Sequence, residues 1–547
     1  MYSHFPVRAP RRKCEIAIPL VLSFLLFAIP LHSQVKQYRG IWIDTFNSNL
    51  NNHNDILAAV NNAVAAHANA IFTQVRRRGD SWYLNSLEPP PDGVPLAPGF
   101  DALQDLITVA HGYGIEVHAW VIVADIYSRN PTIFPPIPQH VFAQHGYNPV
   151  TKQFYTGRDN WLTKTLIPDG TASITFNGQR VGSDFWIDLG HPDAEAYTVN
   201  VLLHLVENYD LDGLHFDRIR YPDISISGQT PTTGANIGYN ETNVARFNAH
   251  YGLPATNVPT TGNAQWMQWR RDQVTNFVRR VYLNAIAIKP QMKISASLIV
   301  FGGINNPNTE SSWNSAEAYW RVYQDWRAWT EEGTLDIAMP MNYKREHTAS
   351  EATMFDQWTE WTRNHAYNRS TVVGQGAFLN AYEGALRQVR RALQPSAVTG
   401  NSSAGVSLYS MATPDVAVTK NPFTFPTPNL NTPLRPFSEW ASALVNGKSA
   451  NGTVLYEDPN AHTAPIFADF ATPPDMPWKS NPTLGYLKGF AKDENGNFLD
   501  AGAVTISRVD DGTAPSGRTS VQTQTDGGGF YGGVDLAPGK YAVTFSP

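Results

Sequence analysis

Short apolar runs recur along the chain, and after each one apolar residues return every three or four positions. Eight runs read as strands: residues 40–46, 70–75, 116–123, 213–217, 293–300, 335–341, 371–377 and 405–409. Most are β-branched or continuously apolar, the pattern of strands buried on both faces. Between them, Leu103, Leu106, Ile107 and Ala110 share one helical face, and Gly112 and Gly114 mark its end. Val201, Leu202, Leu205 and Val206 form a similar stripe before Asp210, and Phe277, Val281, Ile286 and Ile288 form one before the fifth run. Eight alternations of strand and helix predict an α/β fold, a (β/α)8 TIM barrel spanning residues 36–445. An open doubly wound sheet is the alternative, but eight similar units fit closure better.

The connections after the expected strands are unequal. Residues 124–185 form a long excursion rich in Asn, Pro, Tyr and Gly, 222–264 is polar, and 410–436 is Pro-rich. Long loops at one end of a rigid scaffold build binding sites. Residues 437–445 read as the last barrel helix. Five prolines fall within 463–483, so 446–483 reads as a Pro-rich linker. After Gly485 the period changes to two: 486–491, 503–506 and 541–545 alternate as strands, with Gly-rich turns at 527–529. This predicts a small all-β sandwich over 484–547, separable from the barrel.

The N-terminus changes the picture of where the chain works. Arg8, Arg11, Arg12 and Lys13 precede an almost wholly apolar run from Ile16 to Ile29, and Pro30 ends it. This is the pattern of a secretory signal peptide, residues 1–33, and the run is short for a membrane span. Leu31 is not a small residue, so an uncleaved anchor is the alternative. Cleavage predicts a secreted, periplasmic or cell-envelope protein with no stable membrane insertion, and the resemblance named below implies a bacterial one. It leaves 37 basic against 46 acidic residues, a mature charge of −9, where the full chain carries −6. That charge argues against nucleic acid as a partner. The one cysteine, Cys14, lies in the removed segment, so neither a disulfide nor a Cys-ligated metal is expected. Aromatic residues make up 12% of the chain, enough to supply stacking faces for sugar rings as well as core.

The chemistry concentrates at Asp210–Pro222. Leu214 and Phe216 alternate with His215 and Asp217, and Tyr221-Pro222 ends the run. An acid at the carboxyl end of a barrel strand stands where such barrels keep their reactive groups. The plain alternative is that Asp217 only pairs with Arg218 or Arg220. Asp44 and Asp80 lie at or after the ends of the first two strands, and Asp125 follows the third as a turn cap or a site acid. None of strands five to eight ends in an acid, although Glu346 and Glu383 lie a few residues past the sixth and seventh. Trp42, Trp82, Tyr83, Trp120, Tyr127, Tyr221 and Tyr343 lie near strand ends, and about half are expected to face the cleft. Arg76 and Arg220 are candidates to hold a carboxylate or hydroxyls, and Asn342 and Gln375 to supply neutral hydrogen bonds. His118 and His215 share the side of their strands with these candidates. They lack close ligand spacing with Asp217, so no metal and no cofactor is expected.

Several phrases resemble the glycosyl-hydrolase-like 10 family, also described as domain of unknown function 187. They are 37–46 (QYRGIWIDTF), 74–89 (QVRRRGDSWYLNSLEP), 114–120 (GIEVHAW), 188–194 (DLGHPDA), 212–222 and 324–343 (QDWRAWTEEGTLDIAMPMNY). The match runs in order over about 36–440. The resemblance implies a barrel that hydrolyses glycosides, with a peptidoglycan glycan or other polysaccharide as substrate. On it, Asp217, Asp44 and Asp80 become the candidate catalytic carboxyl groups and the aromatic, Arg, His, Asn and Gln residues above the substrate-binding set. Many relatives carry a second acid after the strand-four Asp, where this chain has Arg218. The run is also similar to chitinase-type barrels, but their Glu two positions on is Ile219 here. Residues 484–547 resemble carboxypeptidase-regulatory-like sandwiches. A barrel that binds carbohydrate without cleaving it is the rival reading, and a metal-dependent polysaccharide deacetylase is a distant third. Nothing in the pattern sets an oligomeric state.

Overall fold

The computed structural model describes residues 35–45, 47–48, 50–91, 96–127, 137–167, 172–173, 184–223, 234–416, 435–447, 465–510, 512–513 and 516–546. The expected signal peptide, Cys14 and Phe46 lie outside the described residues. Eight parallel strands close into a barrel: β1 Tyr38–Ile43, β2 Ala70–Arg76, β3 Glu116–Ile122, β4 Gly213–Asp217, β5 Lys293–Leu298, β6 Ile337–Asn342, β7 Ser370–Gly376 and β8 Gly405–Tyr409. Each pairs with its neighbour in the chain, and β8 returns to β1 through Gly405↔Tyr38 and Leu408↔Ile41. All eight apolar runs of the sequence are these strands.

A helix follows each strand: α1 His53–Ala65, α2 Ala102–Gly112, α3 Pro192–Asn208, α4 Ala264–Ile288, α5 Trp326–Glu332, α6 Ala349–Asn364, α7 Tyr382–Leu393 and α8 Phe437–Asn446. Local chemistry starts them. Asn52 and Asp101 accept the first free N–H groups of α1 and α2, the His191 ring accepts at α3 with Pro192 beside it, and Asn263 caps α4. Their apolar stripes and the outward strand residues form the main core, in which Leu214, Phe216, Leu202 and Phe277 are all fully buried.

The barrel interior is a second cluster of Tyr38, Trp42, Ala70, Phe72, Trp120, Ile337, Met339 and Val372. Large inward residues sit opposite glycine. A Cβ on Gly213 would lie 2.1 Å from His118 Nδ1, and one on Gly374 would lie 3.0 Å from the Trp42 ring.

The segment read as a linker behaves differently over its described part. Ala471–Thr472 pairs in parallel with Val35–Lys36, and Met476 joins the barrel-interior cluster. Trp478 Nε1 donates to Asp336 Oδ1 at 2.7 Å, and Lys479 Nζ lies 3.0 Å from Asp336 Oδ2. Residues 465–483 therefore close the amino-terminal end of the barrel, because their interspersed Met and Trp have apolar surface to bury. The expected Pro-rich linker of 446–483 is packed against the barrel over this part, and its residues 448–464 lie outside the described residues.

The C-terminal strands are β9 Gly485–Phe490, β10 Ala503–Arg508, β11 Ser520–Gln524, β12 Phe530–Leu536 and β13 Tyr541–Ser546. They make two small antiparallel sheets, β9–β12 and β11–β10–β13, around Val504, Ile506, Val521 and Leu536. Phe530 and Val534 belong to the main core of the barrel. Arg246 pairs with Asp500 (2.6 Å), Arg280 with Asp526 (2.9 Å) and Arg369 with Asp535 (2.8 Å). Residues 35–547 group as one compact unit, so these sheets share packing with α4 where the sequence suggested an independent module.

Candidate active site

Asp44, Asp80 and Asp217 follow or end parallel strands β1, β2 and β4, so all three stand at the carboxyl end of the barrel. Asp217 is the one with a half-exposed side chain among aromatic rings. Its Oδ2 accepts from Trp120 Nε1 at 3.1 Å, and its Oδ1 accepts from the Arg218 backbone N–H at 2.6 Å. Arg218 takes φ +49°, a left-handed conformation that costs a non-glycine residue roughly 1 kcal/mol or more. That turn folds the Arg218 N–H back onto Asp217 and swings the guanidinium sideways.

Stacked rings stand beside Asp217. Tyr343 and Tyr409 lie 5.5 Å apart between centroids, and Phe378 meets both edge-on at 5.7 and 5.8 Å. Tyr409 lies 6.1 Å from Trp120. Burial raises both phenols well above their ordinary range; for Tyr409 the carboxylates of Asp44 and then Asp217 add to it. Tyr409 thus sits in the field of both acids.

On the other side lies a charged cluster. The Arg218 guanidinium pairs with Asp125, and with Asp184 at 2.9 Å. Asp125–Tyr127 pairs antiparallel with Phe185–Trp186, which sets Trp186 opposite Asp125, and Arg218 bridges Asp125 to Asp184. Burial pushes the Asp125 carboxyl up to about 7; Arg218 opposes the rise and Asp184 adds to it. Asp125 Oδ1 is buried with no hydrogen-bond partner. The guanidinium carbons of Arg218 and Arg220 lie 5.5 and 5.3 Å from the Trp186 ring centroid.

Beneath Asp217 the barrel holds a polar layer. His215 Nε2 accepts from Trp42 Nε1 at 3.3 Å and contacts Ser297 Oγ at 2.8 Å, while Nδ1 faces Ser295 Oγ at 2.8 Å. A ring that accepts at Nε2 carries its proton at Nδ1, the neutral tautomer. Burial lowers the His215 pKa far below its ordinary value, with His118 adding to it.

Several expectations are corrected by where side chains point. Arg76 and Glu88 form a bidentate pair, 2.6 and 2.7 Å, with no exposed side-chain surface, so Arg76 clasps the loop after β2 instead of facing the cleft. Asn342 Nδ2 donates outward to Phe355 O (2.8 Å) and Thr359 Oγ1 (3.1 Å) on α6. Gln375 Nε2 donates outward to Gln388 Oε1 on α7 at 2.9 Å. Tyr83 packs edge-on against Tyr209 at 5.4 Å, Trp82 lies under Arg77, and the Tyr221 hydroxyl donates to Asp188 at 2.9 Å; all three rings are buried. Tyr127 stacks on Phe142 at 4.6 Å. His118 and His215 lie wholly inside the barrel, and His118 contacts Glu116 at 3.1 Å, so neither can touch a bound molecule directly.

The other acids are held too. Asp80 is buried in a turn and accepts from the Arg77 and Arg78 N–H groups at 3.3 and 3.0 Å. Asp44 has no exposed surface and accepts from Asn47 N (2.9 Å) and Ser410 Oγ (3.0 Å). Glu346 is paired with Arg391 at 2.7 Å and Glu383 with Arg435 at 2.9 Å. Trp42 supports His215 from within, while Trp120 and Tyr343 stand at Asp217, and Arg220 stands near it over Trp186. Sequence reasoning missed Tyr409, Phe378, Asp184 and Trp186. Tyr409 had a signal: it has the parity of Gly405 and Ser407 on β8.

Residues 37–383 match the family described as Glycosyl hydrolase-like 10. Glycosyl hydrolase YngK of Bacillus subtilis (strain 168) is 25% identical over 321 residues, 57% of this chain and 52% of its own length. Glycosyl hydrolase DigH of Escherichia coli (strain K12) is 24% identical over 280 residues, 50% of this chain and 54% of its own. The chain spans about half the length of the curated relatives it matches. The PgaB (BpsB) glycoside hydrolase domain from Bordetella bronchiseptica aligns with TM-score 0.48 at 14% identity, covering 71% of this chain and 97% of that one.

Proposed function

Because the chain belongs to the glycosyl hydrolase-like 10 family, we propose that it is a secreted glycoside hydrolase that cleaves a bacterial cell-wall glycan or another polysaccharide. The observation that carries this reading is Asp217, held at the carboxyl rim by two N–H donors beside the Tyr343–Tyr409 stack. In its ionised form it faces the positive charge that develops at the anomeric carbon as the glycosidic bond breaks. The second carboxyl group in this reading is Asp125. Burial raises its pKa to about 7, so it is mostly protonated below that pH, as a donor to the leaving oxygen requires; its side chain is buried against Arg218, so donation requires that pair to open. The apolar N-terminal run supports export, and N-terminal sequencing of the protein recovered from the producing cells tests it: a chain that still begins at Met1 refutes cleavage.

The non-catalytic reading draws on one fact: Asp80, Glu346 and Glu383 are all locked by arginines or backbone N–H groups. One assay separates the two. Purified protein is incubated with peptide-free glycan strands and other bacterial polysaccharides, and new reducing ends are counted. Wild type should release fragments, and Asp217→Asn should lower turnover by at least about a hundredfold while oligosaccharide affinity changes far less. Binding without release by the wild type favours the non-catalytic barrel. Full turnover by Asp217→Asn removes Asp217 from the site.

A further inference from the structure

Arg220 is a cation without an anion. It follows Asp217 by three residues, its guanidinium rests against Trp186, and its side chain is half-buried. Among the described residues its hydrogen bond runs from Nη1 to the Tyr221 carbonyl at 3.3 Å, and its Nε is buried with no partner. Among the described residues no carboxylate lies within ion-pair distance of it. Its neighbours differ: Arg218 holds Asp125 and Asp184, Arg321 holds Asp223 at 2.7 Å, and Arg76 holds Glu88. The nearby acids are thus spoken for, except Asp217 itself, whose carboxylate is bound by Trp120 and the Arg218 N–H.

A partly desolvated guanidinium with open donors is costly to keep unless something pairs with it. Two features of Arg220 match a carboxylate partner. With Nε buried, the fork of its two terminal nitrogens offers the donors that fit two carboxylate oxygens, and its contact with Trp186 fixes the plane of that fork. Its place near Asp217 puts any anion it binds in the same cleft as the bond to be cleaved. An anion on Asp217's own sugar ring is repelled by that carboxylate, so the charge sits to one side, over Arg220.

We propose that Arg220 reads a carboxylate carried by the substrate, making a sugar with a pendant or ring-borne carboxylate the preferred occupant of the subsite beside Arg220. This rests on the carbohydrate cleft proposed above and adds the class of sugar it selects. Charge-assisted hydrogen bonds of this kind contribute about 1.5–3 kcal/mol, a preference of about ten- to a hundredfold over an uncharged analogue.

The test uses the full chain and equilibrium binding, so it does not depend on turnover. The probes are peptide-free glycan oligosaccharides bearing muramic acid carboxylates, and the same oligosaccharides after carbodiimide activation and borohydride reduction of those carboxylates to alcohols. Wild type should bind the acidic form at least about tenfold tighter, and added salt should narrow the gap. Arg220→Gln should bring the ratio of the two affinities close to one. Arg220→Lys, which keeps the charge and loses the fork, should fall between them. Equal binding of the two probes by wild type, a preference that survives in Arg220→Gln, or binding of neither probe overturns the inference. Turnover is scored separately: fragment release with no acidic preference refutes the role of Arg220 and leaves the hydrolase reading standing. An acidic preference without release does the reverse.

Discussion

Replacing Glu88 with Gln tests whether Arg76 is a structural clasp or a substrate-binding arginine. Arg76 Nε and Nη2 donate to Glu88 at 2.6 and 2.7 Å, and neither side chain has any exposed surface. Arg76 Nη1 also donates to Ile122 O and to Val123 O at 2.9 Å, and the Tyr197 hydroxyl donates to Glu88 Oε1 at 3.2 Å. The pair therefore ties the loop after β2 to the end of β3 and to α3. Glu88→Gln keeps the shape and removes the negative charge, stranding a buried guanidinium. Breaking one side of a buried ion pair costs about 3–5 kcal/mol. Unfolding entropy near 60 °C is about 2.1 cal/mol/K per residue, so the 547-residue chain gains about 1.1 kcal/mol/K and the loss corresponds to about 3–4 °C in Tm. Calorimetry at one scan rate measures it. The double variant Arg76→Met, Glu88→Leu should recover most of the loss, since apolar residues of similar volume replace a buried pair at little cost. A Glu88→Gln protein that melts within about 1 °C of wild type would falsify the clasp, and Arg76 would return to the list of cleft residues.

Three further outcomes follow from the same geometry. If Asp125 is the proton donor, activity falls as pH rises through about 7, where burial places its pKa, and Asp125→Asn abolishes that limb; a limb that persists in the variant assigns the donor elsewhere. His215 is held neutral by burial, so below the ordinary pKa of about 6.5 only the unfolded chain takes up its proton. Its share of stability is full above about pH 6.5 and falls by about 1.4 kcal/mol per unit below it; denaturant titrations at pH 7 and 5.5 should show a shallower acid loss in His215→Gln than in wild type. Removing residues 484–547 uncovers Leu283 and takes Asp526 from Arg280 and Asp535 from Arg369, so the truncated protein should melt several degrees lower than the full chain. Removing 465–547 should cost more, because Met476 and Trp478 then leave the barrel floor; equal melting of the two truncations would refute that closure.

The strands were legible because a strand buried on both faces reads as an apolar run, and the helices because their stripes have a period of 3.6. That same burial hides which way a residue points. Asn342 and Gln375 are polar and stand at strand ends, yet both face helices. Counting by twos from Met339 and Gly374 puts them outward, and that parity is visible in the sequence only once one inward residue is known. His118 and His215 have inward parity but sit a layer or more below the rim, where Ser295 and Ser297 satisfy His215 and Glu116 meets Nε2 of His118. Depth along the strand, not face, separates a supporting residue from one that meets substrate. Asp217 stood out because it is inward and terminal at once. Tyr409 meets the same two conditions, and an acid was sought where an aromatic ring stands.

Asp184 and Trp186 had no local signal. They reach the site because Phe185–Trp186 pairs with Asp125–Tyr127 across about sixty residues of excursion, a contact set by long-range pairing instead of by composition. Arg218 follows Asp217 directly, and the structure shows what an arginine does there. An acid there would be repelled by Asp125 and Asp184; an arginine binds them both and turns its own N–H onto Asp217. The rim thus gathers Asp125 and Asp184 around Arg218, one residue past Asp217. The neighbouring Arg220 has no ion-paired carboxylate among the described residues, and on the reading proposed above the substrate supplies one.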